Sequence, residues 1–460
     1  MTTKTTNAPL LRQIGLVSAT ALVISNMVGT GIFTTTGFLA GDLGDVKLVI
    51  GIWVVGAICA LAGAFCYSEL GINFPSSGGE YVYLTEAYGP TWGFMTGWVS
   101  FFAGFSAPIA LAALAFSDYV GYFWPDARLD HSTSAGPAWF PLQIGWAQLV
   151  ACALIAMFTL LNFFGVKRVA RIQNVLTGTK VVVLLAFIVL GFLVGNGDWN
   201  NFSMNAARTN PATPIAEQFA YSLFFIYLSY SGWNAATYVA EEVKQPERTL
   251  PIALTFGTIL VAALFIALNL VFIYAQPLEQ LKGKVAVGWI SASHLFGPNI
   301  AGVFGALMAL AIMSTVNAMV TIGPRIYYAM AQNGAFFSIA ARVNERWHTP
   351  VPAILMQGVC ALFMTLSSFR DLFFFIGFLL NFFAALSVTT LFFFRKRPGW
   401  QKLPAVSFAW PFVPLLFVVV SAWLTYKGMM MNPKVSMIAV ALVAAGAAFY
   451  HSSDLSKKRT

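Results

Sequence analysis

Two short stretches of this 460-residue chain place small polar residues and glycine in the middle of long apolar runs: Ser25-Asn26-Met27-Val28-Gly29-Thr30-Gly31-Ile32-Phe33 and Ser229-Tyr230-Ser231-Gly232-Trp233-Asn234. Glycine in a helix interior costs about 1 kcal/mol relative to alanine, so two glycines flanking Thr30 weaken a helix there. In hydrocarbon no water replaces the lost backbone bonds, and broken backbone is tolerated only where it lines a cavity. A break at Gly29–Gly31 leaves the amides of Thr30, Gly31 and Ile32 at the positive end of a new half-helix, a site suited to a carboxylate. Carbonyls near Ser25–Val28, with others near Leu228–Ser231, suit an ammonium group beside it. An anion site next to a cation site matches the backbone part of an α-amino acid. The bland alternative is that Gly29 and Gly31 only allow helices to pack closely.

Other chemistry is sparse. Lys180 lies about six residues into an apolar run, where a lone lysine commonly costs about 2.5–3.5 kcal/mol at the bilayer centre. It either snorkels to the interface beside Arg171 or has buried partners. Glu69, Glu80, Glu86, Glu241, Glu242 and Arg325 fall at the ends of apolar runs, where most such charges mark the interface and a minority form gates. His131, His294, His348 and His451 have no metal-ligand spacing, and Cys59, Cys66, Cys152 and Cys360 sit within apolar segments. The expectation is free thiols, with no metal site, no cofactor and no catalytic residue.

The elements that must position these groups are membrane helices. The chain is 58% hydrophobic and 9% charged, against about 45–50% and about 25% in soluble domains. Its net charge of +9 comes from short clusters between apolar runs, which read as topology signals rather than a nucleic-acid surface. Twelve runs are long enough to cross a bilayer, among them Gln13–Gly41 (first), Val181–Gly197 (fifth, extended back through Lys180), Gln218–Ala240 (sixth) and Thr349–Phe369 (ninth). No attached water-soluble domain and no removable leader are expected. Threading both termini inside places 18 of the 26 Lys and Arg in the cytoplasm and 8 outside, as the positive-inside rule favours for an inner, cytoplasmic membrane.

The glycine-containing spans are the first and the sixth, five apart, so they cross in opposite directions. That predicts an inverted repeat: residues 1–197 carry helices 1–5, residues 198–394 carry helices 6–10, and residues 395–460 add helices 11 and 12. Selectivity for a substrate side chain must then come from helices 3, 6, 8 and 10. No acidic residue lies within those spans as bounded, which argues for a neutral substrate. A membrane enzyme would need acids, nucleophiles or metal ligands gathered at one depth, and they are missing. A channel or receptor is opposed by the symmetry of the breaks. Within the transporter class, a proton-linked polyamine or cationic amino-acid carrier is the competing reading.

The first-span Asn26–Phe33 stretch, Pro75-Ser76-Ser77-Gly78-Gly79-Glu80-Tyr81-Val82-Tyr83, Gly89-Pro90, and Gly232-Trp233-Asn234 followed by Glu241-Glu242-Val243 and Pro246-Glu247-Arg248-Thr249-Leu250-Pro251 resemble the amino acid–polyamine–organocation transporters. The sixth-span stretch is most similar to the L-type amino acid transporter branch. The resemblance implies an all-α, LeuT-like fold and sodium-independent amino-acid transport. It implies substrate contacts at Asn26, Val28, Gly29, Thr30, Gly31, Ile32, Leu228, Ser231 and Trp233. The family's usual aromatic residue over the substrate is Leu228 here, with Tyr227 and Tyr230 as neighbours. Lys180 resembles a fifth-span lysine that stands where related carriers hold sodium, which implies carbonyls near Val28 or Gly29 and Ser314, Thr315 or Asn317 as its partners. The Pro125–Gln143 loop lacks the cysteine by which mammalian light chains bond a heavy chain, so no disulfide-linked partner is expected.

Overall fold

The computed structural model describes residues 10–452 apart from Thr30, residues 137–140 and Val285, and describes no side chain for Val166. Helices make up most of it. In chain order they are α1 (Leu16–Met27), α2 (Gly31–Leu43), α3 (Val46–Asn73), α4 (Glu80–Tyr88), α5 (Pro90–Val99), α6 (Ala107–Val120), α7 (Trp146–Leu161), α8 (Val166–Leu193), α9 (Ile215–Ser229) and α10 (Pro246–Ala275). Then follow α11 (Leu278–Leu281), α12 (Val287–Phe296), α13 (Pro298–Ile322), α14 (Pro324–Gln332), α15 (Val351–Met364), α16 (Phe369–Thr389), α17 (Leu391–Phe394), α18 (Pro404–Ser407), α19 (Phe412–Met431) and α20 (Pro433–Ser452). A small hairpin, β1 (Thr133–Ala135) paired antiparallel with β2 (Leu142–Ile144), precedes α7.

Ten helical segments of the described residues are long and apolar enough to cross a membrane. The two remaining runs of the twelve expected from sequence are interrupted or short. The sixth is divided into α9 and the 3-10 turn Ala235–Glu242 by the Ser229–Asn234 stretch, and the ninth is the 14-residue α15. The chain is therefore an all-α, multi-pass membrane protein, and the four cysteines are free.

Close helix packing is set by small residues, as expected where lipid supplies no hydrophobic drive between helices. A Cβ on Gly257 of α10 would lie 2.7 Å from Val23 Cγ1 of α1, so α10 can rest directly on the first span. The third span is disturbed as well: a π-helical turn, Ser100–Ser106, joins α5 to α6. Pro108 has no amide hydrogen to give the carbonyl four residues back, and the chain relieves this by widening the preceding turn.

Candidate functional site

α1 ends at Met27 and α2 begins at Gly31, with Val28 leaving helical geometry at φ −77° and ψ 80°. In the sixth segment α9 ends at Ser229 and helical hydrogen bonding resumes at Ala235. The two breaks touch. Gly232 has φ +99°, and a Cβ there would lie 2.6 Å from Asn26 Nδ2 and 2.9 Å from Asn26 O. Glycine is required at this point both for its left-handed backbone and for the close approach.

One cavity is lined by both breaks, by Glu80 of α4, the π-turn and α6, by α13 and by α16. Of the residues expected to contact substrate, Asn26, Gly29, Gly31, Leu228, Ser231 and Trp233 line it. Val28 and Ile32 do not, and both are buried: Val28 turns its carbonyl toward Lys180, and Ile32 belongs to the apolar core. Thr30 lies outside the described residues. The first amides of α2 have no partner within that helix and mark its positive end. Asn26 Oδ1 and Asn381 Nδ2 are buried without a hydrogen-bond partner among the described residues, and both residues line the cavity. A ligand offering a donor to one and an acceptor to the other would satisfy them.

The two glycines of the first break differ. A Cβ on Gly29 would meet only Thr315 Cγ2, at 3.7 Å, whereas one on Gly31 would lie 2.5–2.7 Å from Ser229 Oγ, Cα and Cβ. The close-packing reading thus holds for Gly31, and Gly29 is the position with open space toward the cavity. Tyr227 lines the cavity and its hydroxyl lies 2.5 Å from Ser421 Oγ. Tyr230 instead donates to the Trp53 carbonyl at 3.0 Å and packs against Phe265.

Lys180 is buried, 1% exposed. Its Nζ donates to Val28 O at 2.7 Å, Thr315 Oγ1 at 2.9 Å and Ser25 O at 3.3 Å. The lysine therefore reaches into the bundle rather than toward an interface. Two of the first-break carbonyls expected for a substrate ammonium, those of Ser25 and Val28, are taken by it. Ser314 and Asn317 do not bond to Lys180. They belong to an adjoining polar chain that sequence reasoning missed. Ser25 Oγ lies 2.6 Å from Ser314 Oγ, which accepts from Gln173 Nε2 at 3.1 Å, and Asn317 Nδ2 donates to Gln173 Oε1 at 2.6 Å. Asn162 Nδ2 donates to Asn317 Oδ1 at 3.1 Å, and Thr321 Oγ1 donates to Asn162 Oδ1 at 2.8 Å. Arg325 Nη1 donates to Thr321 O at 2.5 Å and Arg325 Nε donates to Glu242 Oε1 at 2.7 Å, a buried ion pair. A second buried pair joins Arg395 to Glu69 through two bonds of 2.6 Å.

Glu80 corrects the expectation that the cavity holds no acid. It heads α4, between two membrane spans, and lines the cavity beside Asn234 and Tyr238. Its Oε1 accepts from Tyr67 Oη at 2.6 Å and Asn234 Nδ2 at 3.2 Å. It joins no ion pair among the described residues. Burial pushes its carboxyl up to about 7, with the bonds from Tyr67, Tyr238 and Asn234 opposing the shift. A span count locates Glu80 at a helix end, and only the tertiary fold turns it inward.

The profile of the amino acid permease family matches residues 14–448. The chain belongs to that family. The permease is 29% identical over 448 residues to the mouse (Mus musculus) large neutral amino acids transporter small subunit 2, covering 96% of this chain and 81% of the relative. It is 27% identical to the mouse Asc-type amino acid transporter 1, over 95% of this chain and 80% of that relative. It is 26% identical to the mouse b(0,+)-type amino acid transporter 1, over 97% and 88%. The permease is an amino acid transporter of the L-type branch, and the cavity at its two breaks is the candidate substrate site.

Proposed function

We propose that this permease carries neutral L-amino acids by alternating access, without sodium, in a LeuT-like arrangement of twelve spans. In this reading helices 1–5 (residues 1–197) and 6–10 (residues 198–394) form the inverted repeat and residues 395–460 add two helices, with both termini in the cytoplasm of a cell whose inner membrane holds the protein. The substrate carboxylate sits on the amides that open α2, and its ammonium faces Asn26 Oδ1 and the carbonyl end of α9. Leu228, Ser231 and Trp233 surround the side chain, with Tyr227 available to cover it.

The observation that carries the reading is that both helix breaks line one cavity. Sodium independence is supported by Lys180 Nζ, which occupies the position between broken helix and α13 hydroxyl that a cation would take. The neutral preference is supported by the name of the large neutral amino acids relative and by the donors already on Glu80 Oε1. The permease works without a disulfide-linked heavy chain, a reading supported by the absence of cysteine from Pro125–Gln143. It has no enzymatic role.

Glu80 itself favours a second reading, a cationic substrate whose side chain reaches that carboxylate. Thermal stabilisation of the purified permease by a panel of amino acids decides between them, because a ligand stabilises only the state that binds it. Leucine and its neighbours in size should raise the midpoint and arginine should not. The reverse order would establish the cationic reading.

A further inference from the structure

A second cavity, of about 350 Å³, lies away from the substrate site and is lined by Gln13, Phe164, Gly165, Lys167, Arg168, Arg171, Arg346, Trp347 and His348. Four of these residues are lysine or arginine and none is acidic. Basic residues that only set topology are free to spread into water and headgroups. These converge. The guanidiniums of Arg168 and Arg346 lie 5.0 and 4.8 Å from the centre of the Trp347 ring, so one indole holds both in place. Among the described residues, none of Lys167, Arg168, Arg171 and Arg346 joins an ion pair. Glu345, next in sequence to Arg346, does not line the cavity. α8 begins between the lining residues Gly165 and Lys167, adding the positive end of a 28-residue helix. His348 is held at φ +51° with its Nδ1 buried and unpartnered among the described residues.

We infer that this cavity binds the phosphate-bearing headgroup of an anionic phospholipid. Fixed guanidiniums and a helix N-terminus are the donors that phosphate oxygens require. A lipid, rather than free phosphate, is favoured by the apolar surface beside the basic rim. Phe164 on the wall is 46% exposed, and Leu16, Val17 and Val175, in α1 and α8 next to Gln13 and Arg171, are exposed as well. Acyl chains would lie there.

The site adjoins two functional elements. Gln13 and Ile14 donate to the Glu242 carbonyl, each at 2.9 Å, and Ile14 pairs with Val243, so the cavity touches the segment that ties the N-terminus to the end of the sixth span. α8 carries Lys180 farther along. An occupied cavity therefore clamps α8, the Gln13–Ile14 segment and the 346–348 loop together on one face.

The test uses the full-length permease in detergent, with phosphatidylglycerol, phosphatidylcholine and inorganic phosphate as probes. Phosphatidylglycerol should raise the thermal midpoint saturably, and phosphatidylcholine and inorganic phosphate should not. The double variant Arg168→Gln, Arg346→Gln should weaken the lipid response at least about tenfold, since each juxtamembrane cation contributes to anionic-lipid attraction. Wild-type protein with a photoactivatable phosphatidylglycerol should be labelled within 164–171 or 346–348, a readout that does not need the variant to fold. Labelling elsewhere, or an unchanged lipid response in the double variant, overturns the site. Equal stabilisation by inorganic phosphate overturns the lipid assignment.

Discussion

Replacing Lys180 by alanine removes three bonds from Nζ, at 2.7, 2.9 and 3.3 Å. Val28 O keeps the Thr315 hydroxyl at 2.8 Å, while Ser25 O loses its one side-chain donor among the described residues. A hydrogen bond from a charged group contributes about 1.5–3 kcal/mol, and the 3.3 Å contact lies beyond the usual range. The broken first helix should therefore be held about 3 kcal/mol less firmly, a shift on the order of 100-fold in the balance between conformations that need this geometry and those that do not. The assay is radiolabelled amino-acid flux in proteoliposomes for wild type, Lys180→Ala and the volume-preserving Lys180→Met, with and without sodium and at several pH values. Both variants should insert normally and lose flux by about that factor, and the wild type should ignore sodium. Equal rates and equal pH profiles would refute the reasoning, as would stimulation of the wild type by sodium.

Three further outcomes are expected. Gly29→Leu should abolish amino-acid binding in a folded protein, because the new side chain enters the cavity from a position with a neighbour only at 3.7 Å, whereas Gly31→Ala should lower the thermal midpoint through its overlap with Ser229; retained affinity in Gly29→Leu would place the substrate elsewhere. For Glu80, a carboxyl raised from 4.5 to about 7 loses stability as pH climbs from about 4.5 to about 7, so the wild-type midpoint should fall across that window and Glu80→Gln should flatten the fall; identical slopes would contradict the burial argument. Cysteine labelling of intact cells should reach a cysteine placed at Ser132 and not one at Ser456, and the opposite pattern would overturn the orientation.

The membrane spans and both helix breaks were legible in sequence because they rest on local features: run length, and glycine with small polar residues at mid-span. Lys180 was legible as an anomaly, a cation in an apolar run, but its choice of Val28 and Thr315 over Ser314 and Asn317 was not. That choice depends on how α1, α8 and α13 rotate against one another. Glu80 was misread for a related reason. Its span-end position resembles that of any interfacial acid, and only the packing of α4 against Tyr67 and Asn234 brings it to the cavity. The Gln173–Asn317–Asn162 chain joins residues more than a hundred positions apart, and nothing local marks it. Pro108 was a usable signal for the widened turn in the third span.

The measurement that tests the central claim most directly is a structure of the permease determined in sodium-free buffer with a bound neutral L-amino acid. The account predicts ligand density between the α1–α2 break and the Ser229–Asn234 stretch, with the carboxylate on the amides that open α2, the ammonium toward Asn26 and α9, and Lys180 still on Val28 and Thr315. Density at any other place, or an empty cavity under saturating substrate, would contradict it.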